Sequence, residues 1–212
     1  MKSTSILLLA GLITLSSCNE HKNKEEKASW LRDATNENQG PEEQKTVSGD
    51  FDEITVSQAI KAEVVKSDVE KVVIYAPKNI IDEVLVDNSG GSLHIHYKSG
   101  FHVNGFKNVR AKIYTKDFSK LSADSSANIE VKDKFTQDKT DVEVSSAAEI
   151  SGHLEANDLG IDVSSSGDFK GQIWAVNLNV DASSGGSVEV YKKGNVTSIN
   201  IEENSGGSVS VK

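Results

Sequence analysis

The 212-residue sequence predicts an all-β chain wound as a parallel β-helix, a β-solenoid with coils of about 20 residues. Three observations carry that expectation. Apolar and polar residues alternate in short runs bounded by Gly, Asn, Asp or Ser, the mark of half-buried strands. A pentamer of small residues ending in an apolar one recurs five times, at spacings of 21, 19, 19 and 21 residues. When those copies are aligned, aliphatic side chains fall at the same even-numbered offsets, so each strand has one apolar face.

Taken in order, residues 1–17 have the form of a lipoprotein signal peptide. Lys2 gives a positive start, and Ile6 to Leu15 is apolar but too short to span a bilayer. Leu15-Ser16-Ser17-Cys18 closes the segment and resembles a bacterial lipobox, which implies acylation of Cys18 and membrane lipid as a partner. Cys18 is the single cysteine, so no disulfide can form within the chain. Two or three acyl chains make a stable anchor where one would be marginal. Residues 18–46 then read as the lipidated Cys and a disordered tether, since they are charged and lack any sustained apolar period.

From Val47 to Lys212 the chain reads as one β-helix domain. The pentamers are SSANI, SAAEI, SSGDF, SGGSV and SGGSV, beginning at Ser125, Ser146, Ser165, Ser184 and Ser205. Four residues before each start stand Leu121, Val142, Ile161, Val180 and Ile201; four after stand Ile129, Ile150, Phe169, Val188 and Val209. Two before each start the column reads Ala123, Val144, Val163, Ala182 and then Glu203, so the last copy is degenerate. Strands this short gain a core only by stacking coil on coil at ~4.8 Å, which buries the even column continuously.

This pattern is similar to the DUF2807 family of auto-transporter adhesin, head GIN domains. The resemblance rests on FDEITVSQAIKAEVVKSD, SLHIHYKSG, VRAKIYTKDFSKL and the recurring pentamers, over roughly residues 47–212. It implies a right-handed β-helix and a surface or periplasmic location, and brings no catalytic residues. A formal charge of −9 argues against a nucleic-acid partner, because phosphate binding needs a basic surface.

Chemistry-bearing motifs are few. No G-x-S-x-G elbow, P-loop, HExxH or CxxC pair occurs. His94 and His96 share the outward face of one strand and form a candidate metal pair. Three residues before each pentamer lie Ser122, Glu143, Asp162, Asp181 and Glu202; the four carboxylates should stack outside the coils, where a hard cation such as Ca²⁺ is the candidate ligand. Trp174 falls at an outward position, and Phe101 and Phe106 lie in a loop; these three are the candidate ligand contacts. No cofactor is otherwise expected.

The function expected from these features is a non-enzymatic binding or adhesion protein. It would be held at the outer membrane by lipid, facing the cell surface or the periplasm, and would present a rigid acidic surface to a glycan or protein. The competing readings are a structural envelope module with no ligand and a carbohydrate-active β-helix enzyme.

Overall fold

In the computed structural model, residues 32–33, 40–102 and 109–212 are described. The first half holds β1 (Arg32–Asp33), β2 (Glu42–Ser48), β3 (Glu53–Val56), β4 (Lys61–Lys66), β5 (Lys71–Pro77), β6 (Val84–Ser89), β7 (Ser92–Tyr97), β8 (Phe101–His102) and β9 (Arg110–Thr115). The second holds β10 (Lys120–Ala123), β11 (Asn128–Val144), β12 (Glu149–Val163), β13 (Asp168–Ala182), β14 (Ser187–Lys192), β15 (Ser198–Glu203) and β16 (Ser208–Val211). A single 3-10 turn, Ile81–Glu83, is the only helical element among the described residues.

The expected parallel stack is present. One inward row runs Leu93, Ile54, Leu121, Val142, Ile161, Val180 and Ile201, each paired in register with the next across parallel strands. A second inward row, on another side of the coil, runs Ala111, Ala62, Ile129, Ile150, Phe169, Val188 and Val209. Side chains in these rows meet inside the solenoid and are buried, except in the last coil, where Ile201 is 42% exposed. Each fully buried aliphatic side chain contributes roughly 1.5–3 kcal/mol of transfer free energy. In that last coil Glu203 takes the place of an aliphatic residue, and its carboxylate accepts the Val209 N–H at 2.6 Å.

The small pentamers close each coil with a type I′ turn. Ser125 and Ser126 both have positive φ, 52° and 65°, and Ala127 N–H donates to Asp124 O at 3.0 Å across the turn. The same pair of left-handed residues recurs at Ser146–Ala147, Ser165–Ser166, Ser184–Gly185 and Ser205–Gly206. The residue that follows lies against the preceding coil: a Cβ at Gly186 would come within 2.4 Å of the Val163 carbonyl oxygen. This close approach is why the column holds only Ala or Gly in these five copies. A sixth turn stands at Gln58–Ala59, both with φ 60°, in a segment whose sequence hides it because Ile60 occupies the small-residue position.

Chain order and spatial order part company at the start. The coil made by β3 and β4 lies between the one made by β7 and β9 and the one made by β10 and β11. Beyond it the stack is closed by antiparallel strands, with β6 on β7, β5 on β9 and β2 on β5. Two strands begin inside the stretch 18–46 that composition assigns to a tether: β1 pairs with β8, and β2 begins at Glu42. β2 alternates only between exposed and half-buried residues and is held by backbone pairing along β5, which hydropathy does not reveal.

Candidate functional site

The outward rows carry the polar chemistry, and they differ from side to side. On the side of β4 and β14 the row Lys112, Glu63, Glu130, Ser151, Lys170, Glu189, Ser210 mixes signs. Lys132 bonds Glu130 at 2.6 Å and reaches Glu63 at 3.7 Å, while Lys170 bonds Glu189 at 2.7 Å. Hydrogen bonds from Lys170, Lys212 and Tyr191 hold the Glu189 carboxyl down at about 2.

The acidic row stacks as its spacing predicts. Ser122, Glu143, Asp162, Asp181 and Glu202 are paired coil to coil. Lys120 bonds Glu143 at 2.6 Å and serves only the head of the row. Partial desolvation, then Asp181 and Glu143, push the Asp162 carboxyl above its ordinary value although the residue is exposed overall. The row borders a shallow groove of about 400 Å³ that Asn179 and Asn200 also line.

His94 stands at the far end of this same row, two coils before Ser122, with Thr55 between them. The His94 and His96 rings stack at 4.3 Å with 28° between their planes. Their nitrogens point to separate partners. His94 Nε2 lies 2.9 Å from Ser57 Oγ; His96 Nε2 lies 2.9 Å from Asp87 Oδ2 and its Nδ1 2.8 Å from the Tyr97 carbonyl. Among the described residues no three His, Cys, Asp or Glu side chains are grouped to hold a metal ion.

Sequence reasoning missed Ser57, which is buried and bonded to both His94 and Asp124. Its hydroxyl donates to Asp124 Oδ2 at 2.8 Å, so its oxygen faces His94 as an acceptor. A nucleophilic serine needs the reverse, with the imidazole accepting its proton and the acid orienting the imidazole. The trio therefore ties three successive coils together, with Ser57 on the middle one. Burial first, then the neighbouring His96, lowers the His94 pKa from its ordinary value against the pull of Asp124 and Asp87. The signal was available: Ser57 precedes the hidden turn at the position Asp124 takes in the next coil.

Trp174 is outward, as its parity predicts, and is half-buried. Lys134 places its ammonium 5.0 Å from the ring centroid, and His153 meets the ring edge-on at 6.5 Å. Both wide spacings of the repeat converge here. Where β12 has only His153, β11 has three residues, 132–134, and this bulge supplies Lys134. Where β13 has three residues, 174–176, the last coil has five, 193–197, and a Cβ at Gly194 would lie 3.6 Å from Trp174 Cδ1. The short corners of the middle coils thus form a groove of about 750 Å³ running along the stack. Asp52 and Asp117 to Ser119 wall one end; Lys193 to Asn195 wall the other. Trp174, Ala156, Ala175 and Val176 line it, with Asp138, Lys139 and Asn157 among them.

Phe101 is not a free ligand contact. It is buried with its ring 5.2 Å from that of Tyr97, because the turn after β7 folds it back onto the core. Phe106 and Cys18 lie outside the described residues. No helix among the described residues is long and apolar enough to cross a membrane.

A family model, described as "DUF2807: Putative auto-transporter adhesin, head GIN domain", matches residues 50–212. Two solved structures are similar in fold. A putative adhesin from Parabacteroides merdae is 15% identical with a TM-score of 0.56, covering 82% of this chain and 97% of its own. A putative adhesin from Bacteroides fragilis is 16% identical with a TM-score of 0.57, covering 81% and 97%. None of the curated proteins matches the chain.

Proposed function

From the premise that the chain belongs to the DUF2807 family, we propose that it is a non-enzymatic adhesion protein of the cell envelope, anchored at the outer membrane by lipid on Cys18. The observation that carries this reading is the register of the outward rows. Polar side chains repeat at coil spacing along a rigid stack, so one body offers many weak contacts at fixed intervals. Contacts held on one body gain from effective concentration and need no single deep pocket. The lipobox sequence Leu15-Ser16-Ser17-Cys18 supports the anchor. The proton arrangement at Ser57 speaks against a serine nucleophile at that trio.

The test compares cells producing the full chain with cells producing Cys18→Ala. Wild-type cells should be retained on a surface coated with whole-envelope material and should lose the chain to protease shaving. Cys18→Ala cells should release the chain into the aqueous fraction and wash off. Equal retention of the two, or of cells lacking the chain altogether, would overturn the reading.

A further inference from the structure

We propose that the groove beside Trp174 is a carbohydrate-binding site that takes a short run of linked, uncharged pyranose rings, with the indole as its stacking platform. This deepens the adhesion reading and rests on it. The groove volume of about 750 Å³ lies within the range of ligand sites, and the space runs along the stack with walls at both ends. A sugar ring presents an apolar C–H face and a rim of hydroxyls. Trp174 meets the first requirement, backed by the exposed side chain of Val176. Asp138 and Asn157 meet the second, as planar groups held in place by the bond from Asn157 Nδ2 to Asp138 Oδ1 at 3.1 Å. The indole is itself preset: Lys134 lies over it and Gly194 lies against its edge, so binding need not order it.

Other ligand classes fit less well. Asp52, Asp117 and Asp138 repel a sulfated or phosphorylated chain: Lys139 is already bonded to Asp141 at 2.7 Å and Lys134 to Glu155, which sets Lys193 against three carboxylates. A peptide adding as a strand needs a free backbone edge, whereas β12 and β13 are paired with each other through Glu155–Trp174 and Ala156–Ala175. A lipid tail needs an enclosed apolar cavity, and this groove is open with polar side chains along its length.

The full chain is titrated by calorimetry with short cello-, chito-, manno- and xylo-oligosaccharides up to millimolar concentration. At least one series should bind. Trp174→Ala should weaken it by about tenfold or more, the cost of losing a central aromatic contact. Trp174→Phe should restore most of the binding, which separates lost stacking from lost folding. Lys78→Gln, in the cap and outside the groove lining, should leave affinity unchanged. No binding by any series, or binding indifferent to Trp174→Ala, overturns the site. Should cells carrying Trp174→Ala still be retained on envelope material while no oligosaccharide binds, adhesion stands and this site falls. Should oligosaccharides bind but wild-type cells wash off, the site stands and the adhesion role falls.

Discussion

The regular coils of residues 120–211 and the irregular cap of residues 42–115 solve the same burial problem in different ways. In the coils each inward side chain has an equivalent above or below it, so Leu121, Val142, Ile161 and Val180 share one kind of environment. In the cap, β5 is covered on both faces: Val72, Val73 and Ile74 are all buried, and neither of its neighbours is parallel to it. A repeating environment leaves a period in the sequence; an environment used once leaves none. That contrast sets where this chain is stable, where its charge is strained, and what can be read from it.

The largest effect is expected at the seam between the two regions. Phe118, from the connection into β10, packs its ring 4.9 Å from that of Phe135 in the first long coil. Beside them Gln137 donates to the Phe118 carbonyl, and Thr140 donates to Gln137. Phe135→Ala empties a fully buried site and should cost about 3–5 kcal/mol in chemical denaturation. A loss below about 1 kcal/mol would mean that cap and coils do not share a core.

A smaller, pH-dependent effect separates the two ends of one outward row. At the cap end, the His94 pKa lies below its ordinary 6.5, so the unfolded chain takes up the proton first. Stability is then full above that value and lost as the pH falls through the lowered, folded value. His94→Gln should flatten this part of the melting profile. At the coil end the sign is opposite. The Asp162 pKa is raised, so stability is lost as the pH rises from the ordinary 3.8 through the folded value, and the deficit persists at neutrality. Asp162→Asn should raise the neutral melting temperature, with the gain closing as the pH falls below 3.8. A melting temperature unmoved at neutral pH would show that the carboxylates splay fully into water.

The smallest effect concerns the turns. The second left-handed position holds Ala147 in one copy and Gly185 or Gly206 in later ones. Ala147→Gly relieves a left-handed strain of about 1–2 kcal/mol and adds about 0.4–1 kcal/mol of unfolded-chain entropy. The net should be a slight stabilisation, read as a small rise in the denaturation midpoint. A clear loss would assign the Ala147 methyl a packing role.

The coils were legible because alternation, period and small-residue turns agree from Leu121 onward. The coil of β3 and β4 was not, since Gln58 and Ile60 replace the expected Ser and Gly and its neighbours in space are distant in sequence. Of the candidate contacts, Trp174 was placed correctly by parity alone. Its groove was missed, although the wider spacings of 21 residues recorded the insertions that build it. Phe101 was misplaced because an aromatic in a loop carries no parity to say which way it turns.

The central claim is that outward residues of successive coils lie side by side in register. In a Cys18→Ser background, Asp162→Cys with Asp181→Cys places two thiols on directly paired residues of parallel strands about 4.8 Å apart, within disulfide reach. Mild oxidation should cross-link this pair rapidly and nearly completely, as read by mobility on a non-reducing gel. Asp162→Cys with Asn179→Cys, on the same face but two residues out of register, should cross-link poorly. Equal cross-linking of both pairs, or none in the first, would contradict the stacked register on which the adhesion surface and the groove depend.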